Sequence, residues 1–226
     1  MANPYWPLFD LALRTDRLEL RLPQDEELIE LCKLAAGGIH EVGEMPFSIP
    51  WTQEPSPLLE RNALQWWWRC RAEWKPEDWR FTTAVYCNGT LVGMQDLCAK
   101  NFAKLGAVTT GSWLARKYQG QGIGREMRAA VLHLAFAGLG ASRAESCAMS
   151  DNPASIRVSQ SLGYRSNGSH LCVRQGKSAE LVDFLMLASD WEESTKPRYN
   201  VTIANLEPAL QFFGASTAAV SAPDEP

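Results

Sequence analysis

The stretch Trp113-Leu114-Ala115-Arg116-Lys117-Tyr118-Gln119-Gly120-Gln121-Gly122-Ile123-Gly124-Arg125 reads as a short apolar strand running into a glycine-rich turn that opens a helix. Glycines at every second position let the backbone approach a ligand closely. The amides around Gly120, Gly122 and Gly124 would gather at the positive end of the following helix, a place suited to an anion. Ile123, Met127, Ala130, Val131 and Leu134 recur at helical spacing and predict that helix. Arg116, Lys117, Arg125 and Arg128 place positive charge around the turn. Such a turn is built to hold phosphate. It is not a Walker loop, because Gly124-Arg125-Glu126 stands where Gly-Lys-Ser/Thr is required. Nor is it the dinucleotide fingerprint: Glu145 falls near the expected distance of about 20 residues, but the spacing is Gly-x-Gly-x-Gly and the loop lies mid-chain.

A second motif follows in Ser150-Asp151-Asn152-Pro153-Ala154-Ser155-Ile156-Arg157-Val158-Ser159-Gln160-Ser161-Leu162-Gly163-Tyr164. Asn152 is a good helix N-cap, Pro153 suits the first helical position, and Gly163 predicts the stop. Ser155, Val158, Ser159 and Leu162 share a face of this helix.

Gln119-Gly120-Gln121-Gly122-Ile123-Gly124, followed in order by Asn152-x-x-Ser155 and Gly163-Tyr164, resembles the two coenzyme-A motifs of the GNAT superfamily of N-acyltransferases. The opening strand and helix resemble its ribosomal-protein alanine N-acetyltransferase branch. Leu8 to Thr15, with Met45-Pro46-Phe47 and Trp51, is similar to actinobacterial members adapted to succinyl-CoA. The resemblance implies an α+β GNAT fold, with a mixed, mostly antiparallel sheet flanked by helices and two splayed strands forming the acyl-CoA cleft. The donor implied is acetyl-CoA or succinyl-CoA. Trp113, Leu114 and Ala115 would hold pantetheine, with the acyl oxygen near the amide of Leu114 or Ala115. Gln119, Gly120, Gln121, Gly122, Ile123, Gly124 and Arg125 would hold the pyrophosphate, and Asn152 and Ser155 the pantetheine arm or sulfur.

Amine acylation requires a neutral amine, a polarised thioester carbonyl and stabilisation of the departing thiolate. Backbone amides can supply the second. Many members of the superfamily place a tyrosine acid seven residues after the motif asparagine; here that position is Ser159, a departure. In the branch that this chain resembles, the candidate acid is a serine three residues after the asparagine, and Ser155 occupies that place; Ser159 and Tyr164 come behind it. The branch glutamate after the Gly-Tyr pair is replaced by Asn167, which leaves Glu41, Glu44, Asp96 and Glu145 as candidate bases. A binding module that keeps the coenzyme site without turnover, and an unrelated nucleotide-phosphate enzyme, are the other readings that the residues leave open.

The remaining chain is consistent with one domain. Its 226 residues are 46% hydrophobic, ample for a single core. A net charge of −4 and a pI near 5.5 argue against a nucleic-acid partner. Six cysteines without a Cys-x-x-Cys pair and three dispersed histidines suggest neither a metal site nor a disulfide framework. With no signal-like amino terminus and no apolar run of ~20 residues, the expectation is a cytoplasmic protein with no membrane contact.

Leu11 to Leu22 ends in apolar–charged alternation and predicts a strand; Asp25 to Ala36 predicts a helix with Leu28, Leu31, Cys32 and Ala35 inward. Met45, Phe47 and Trp51 lie on an apolar loop that must bury itself, the natural wall of an acceptor pocket for a small-molecule or peptide amine. Pro57 to Trp74 reads as a helix on which Trp66, Trp67 and Trp68 cannot all face one way. Asn88-Gly89 predicts a tight hairpin between Arg80–Cys87 and Thr90–Ala99. Further strands are expected at Thr109–Leu114, Arg143–Met149 and on both sides of Gln175-Gly176. The expected boundaries are 1–195 for the acyltransferase domain, 196–213 for a docked extension and 214–226 for a disordered tail. A homodimer through the tryptophan helix or the extension stays open.

Overall fold

The computed structural model describes residues 3–193 and 199–215. In chain order these form β1 (Ala12–Arg14), β2 (Leu18–Arg21), α1 (Asp25–Ala36), α2 (Leu58–Ala72), β3 (Asp78–Cys87) and β4 (Thr90–Lys100). Then come α3 (Phe102–Leu105), β5 (Ala107–Leu114), α4 (Ile123–His133), β6 (Arg143–Met149) and α5 (Pro153–Leu162). The last are β7 (Arg165–Arg174), β8 (Lys177–Leu187), α6 (Ala188–Glu192) and β9 (Thr202–Ala204). Among the described residues the strands make one sheet, ordered β7-β8-β6-β5-β4-β3-β2-β1-β9. Only β5 and β6 run parallel. This is the mixed, mostly antiparallel α+β sheet that the sequence predicts.

Local chemistry explains most boundaries. Both central residues of the two tight hairpins sit at positive φ, 48° and 78° at Asn88-Gly89 and 53° and 73° at Gln175-Gly176, as a type I′ turn requires. α1 occupies the expected residues and buries Leu28, Leu31, Cys32 and Ala35. The Asn152 side chain accepts the Ser155 amide at 3.1 Å to cap α5, and Gly163 ends it at φ 102°. The single strand expected over Leu11–Leu22 is corrected to the hairpin β1–β2, paired from Ala12↔Arg21 to Arg14↔Glu19. Thr15 breaks it, since its hydroxyl accepts the Leu18 amide at 2.9 Å and closes a side-chain turn over Asp16 and Arg17.

The sheet buries both faces unequally. α4 and α5 cover one face over a large core that includes Leu13, Leu20, Phe81, Val92, Leu97, Met127 and Val131. α1 and α2 cover part of the other, where Trp67 packs with Leu28, Leu31, Ala84 and Met94. Trp66 and Trp68 are exposed, and Trp68 Nε1 donates to Asp25 at 3.2 Å.

The segment 199–213 closes the far edge: β9 pairs with β1, and the Trp74 and Trp79 indoles donate to the carbonyls of Phe212 and Phe213 at 2.7 and 3.0 Å. Residues 196–198 of the expected extension and 216–226 of the expected tail lie outside the described residues. Phe213 is fully buried, with its ring 4.8 Å from Trp79 and 5.7 Å from Phe81. Phe213→Ala is expected to cost roughly 3–5 kcal/mol of stability, read as a lowered denaturant midpoint at unchanged slope.

Candidate active site

β5 and β6 pair only at Ala107↔Arg143, Val108↔Ala144 and Thr109↔Glu145. Beyond that point β5 continues on β4 as far as Gly93↔Leu114, and β6 continues on β8 as far as Met149↔Leu181. The two strands therefore part and leave a gap with backbone on both sides. The Ala115 amide donates to Val92 O at 3.0 Å, so strand alternation turns the Leu114 amide toward the gap. Of the two amides expected at an acyl oxygen, Ala115's is committed to the sheet. Gly93 makes this close approach possible, since a Cβ there would sit 2.2 Å from Trp113 O.

At the end of β5 the chain turns through Gly120 and Gly122, at φ 72° and 78°, into α4, for which Gly122 is the N-cap. The space beside Gly120 is open, with nothing within 4 Å of where a Cβ would stand. The side-chain amides of Gln119 and Gln121 are tied to backbone carbonyls of the protein, although both residues are exposed. Gln119 Nε2 donates to Ile39 O and Leu114 O at 2.8 and 2.9 Å, and Gln121 Nε2 to Lys117 O at 2.8 Å. What the loop presents is backbone, which is what an anion cradle needs. Arg125 lies beside it on the first turn of α4, its guanidinium 6.0 Å from the Tyr199 ring centre. Glu126 is buried one residue on, held by Arg17 at 2.6 Å and Thr15 at 2.5 Å, while Arg17 also donates to Gln121 O at 3.2 Å. The β1–β2 turn thus braces the loop from behind.

Across the gap, Ser155 stands in the first turn of α5, and among the described residues its hydroxyl makes no hydrogen bond. Ser159 is fully buried; its hydroxyl donates to Ser155 O at 3.3 Å and accepts from Arg128 Nη1 at 2.9 Å. Arg128, expected near the phosphate turn, is instead 4% exposed beneath it, between α4 and α5. Glu41 is exposed and ion-paired to Arg116. Glu145 is ion-paired to Arg143 and lines a cavity of about 520 Å³ with Arg80, Cys98 and Thr109.

The other face of the gap is roofed by aromatics. Trp51 lies 5.7 Å from Phe47 and 6.2 Å from Trp113, and Met45 is buried. Two straps hold this loop. On one side the Arg116 amide donates to Gly38 O at 3.3 Å; on the other Arg174 donates to Met45 O at 2.7 Å while pairing with Asp151, next to Asn152. Further along the face that carries Trp113, Asp96 stands opposite Gly111, its Oδ2 3.8 Å from where a Cβ on that glycine would be. Burial pushes the Asp96 carboxyl up to about 6, against the pull of Arg80 at 3.8 Å.

Residues 17–165 match the Acetyltransferase (GNAT) domain family. The chain belongs to that family. Solved structures share the fold at low identity. Mycobacterium smegmatis RimJ in complex with a coenzyme A disulfide aligns with a TM-score of 0.67 and 17% identity, covering 90% of this chain and 94% of its own. The ribosomal-protein acetyltransferase RimL in complex with coenzyme A gives 0.63 and 16%, over 76% and 95% of the two chains. A spermidine N-acetyltransferase chimera that includes the Vibrio cholerae SpeG protein gives 0.62 and 16%, over 79% and 100%. Among the described residues there is no cluster of three metal-ligating side chains and no helix long and apolar enough to cross a membrane.

The roof's position depends on its straps. Arg174→Ala is expected to raise amide exchange across residues 39–51 severalfold while leaving global melting nearly unchanged, because the strap's Asp151 end is exposed.

Proposed function

We propose that this protein transfers an acetyl group from acetyl-CoA to the primary amine of a small molecule or peptide amino terminus with hydrophobic character. The reading rests on one observation: the parted β5–β6 pair, with the Leu114 amide turned into it, has a glycine cradle at one end and, on its other face, the roof residue Trp113 with the recessed Asp96 carboxylate further along the same sheet face. The cradle of Gly120, Gly122 and Gly124, with Arg125 beside it, suits the coenzyme pyrophosphate. The pantetheine arm fits the gap, where strand backbone and the Asn152–Ser155 turn of α5 can pair with its amides. The Leu114 amide then polarises the thioester carbonyl.

The amine enters beneath Phe47, Trp51 and Trp113, whose apolar surface favours a partly hydrophobic acceptor. Asp96 accepts the amine's proton through water. Its raised pKa makes it a better base near neutral pH than an ordinary carboxylate. Glu41 and Glu145, each neutralised by an arginine in solvent, suit binding of the acceptor's surroundings more than proton transfer. Succinyl-CoA is the competing donor, and calorimetric titration with acetyl-CoA, succinyl-CoA and free coenzyme A decides between the two.

Gly122→Glu is expected to remove acetyl-CoA binding, since a carboxylate would occupy the anion cradle; retained binding takes the phosphate role away from the loop. Asp96 is active as the carboxylate, so kcat/KM rises with pH through about 6 and levels off above. Asp96→Asn is expected to remove that acid limb and lower kcat by about 10²-fold. Because the raised pKa means that folding favours the protonated acid, this charge opposes stability above pH 6, and the variant's melting at neutral pH should not fall. An unchanged pH profile would take Asp96 out of the mechanism.

A further inference from the structure

Arg128 reaches from α4 toward α5 and is 4% exposed, yet among the described residues no carboxylate pairs with it. Its Nη1 donates to Ser159 Oγ at 2.9 Å, and its Nε has no partner. Thr110 Oγ1, Ser146 Oγ and Tyr164 Oη are also buried without a well-formed hydrogen bond, although Thr110 lies close enough to Tyr164 to ease its ionisation. Thr110 and Ser146 are the first residues beyond the last β5–β6 pair, Thr109↔Glu145. They share the sheet face of Val108 and Ala144, which pack in the α4 core. An uncompensated cation, with Tyr164 in its field and Thr110 beside Tyr164, thus lies on the helix side of the sheet near where the gap begins.

Buried charges are costly unless compensated, and this fold compensates the neighbouring one: Glu126, on the same helix, is held by Arg17 and Thr15. Arg128 has no such partner. The reaction read above generates an anion in this gap. When the amine nitrogen bonds to the carbonyl carbon, the carbon–sulfur bond breaks and its electron pair goes to sulfur.

We propose that Arg128, acting through the Ser159 hydroxyl, is the counter-charge that lets coenzyme A depart as the thiolate. Ser159 directs its proton to Ser155 O across a long 3.3 Å, so it can turn that proton to the sulfur while Arg128 keeps donating to its oxygen. No acid is then required in the gap. The amine's proton goes to Asp96 through water, and the thiolate takes a proton from solvent after release. The other titratable groups whose charge would act on Arg128 are Tyr164, just after α5, and Cys147 on β6. Burial pushes both upward, so both stay neutral and leave the cation unpaired. Arg128 is a positioning residue in this scheme, and the scheme rests on the acyltransferase reading.

The test is calorimetric titration of the full-length protein with coenzyme A and acetyl-CoA from about pH 7 to about pH 9, spanning the ordinary thiol pKa of about 8.5. If the bound form is the thiolate, the affinity of coenzyme A relative to acetyl-CoA climbs with pH, at most about tenfold per unit. Taking the ratio cancels titrations that both ligands share. Arg128→Met and Ser159→Ala are expected to flatten the climb with acetyl-CoA affinity kept within about twofold, and Arg128→Lys to retain part of it. A flat ratio in the unsubstituted protein overturns the proposal whatever the variants do, as does a climb that survives both Arg128→Met and Ser159→Ala. If the unsubstituted protein binds neither ligand, the acyltransferase reading itself falls.

Discussion

Strand backbone in a protein interior must find hydrogen-bond partners, yet β5 and β6 stop pairing with each other after Thr109 and Glu145. They stay extended because each is held on its outer side, β5 by β4 through Leu114 and β6 by β8 through Met149. The opening is therefore maintained from outside and does not depend on its contents. A ligand that offers amides and carbonyls can restore the missing pairing without any strand having to move. Every other part of the site lies at an end or a face of this opening. The glycine loop continues β5, the Asn152 cap continues β6, and the aromatic roof covers one side.

The two sides of the opening have different chemistry. On the helix side the resources are backbone amides, the positive end of α4 and buried arginine, all suited to an anionic partner. On the roofed side they are rings and a recessed carboxylate, the surface that the proposed reading gives to the amine. The protein carries a net charge of −4, so this local polarity is arranged and not a reflection of overall charge. Long-range pairs fix the arrangement: Arg17 ties the β1–β2 turn to α4, and Arg174 ties β7 to the roof.

What could be read from the residues was what a short stretch of backbone requires. Asn88-Gly89 and Gln175-Gly176 needed positive φ at consecutive positions; Asn152 and Gly163 needed to cap a helix; Gly120 and Gly122 needed a turn no other residue makes cheaply. Each of those signals is local. The break at Thr15 was hidden because apolar alternation runs on both sides of it, and only the side-chain turn interrupts the strand. The burial of Arg128 was hidden because α4 position alone does not say that α5 will close over it. Whether Leu114 or Ala115 faces the gap depends on which side β4 takes, a fact of topology. The strap from Arg174 to Met45 joins segments far apart in the chain and leaves no mark in either.

The pairing of β9 with β1, and the seating of Phe213 among Trp74, Trp79 and Phe81, has a consequence for how the chain is made. These contacts join Ala12–Arg14 to Thr202–Ala204, with most of the domain lying between them in the chain. On the ribosome, β1 must wait for β9 until the whole intervening chain has emerged, and the ring cluster stays open to water until Phe213 follows. A nascent chain of this protein would therefore expose Trp74 and Trp79 for as long as the segment that carries Phe213 is missing, and would need that aromatic surface shielded in the interval.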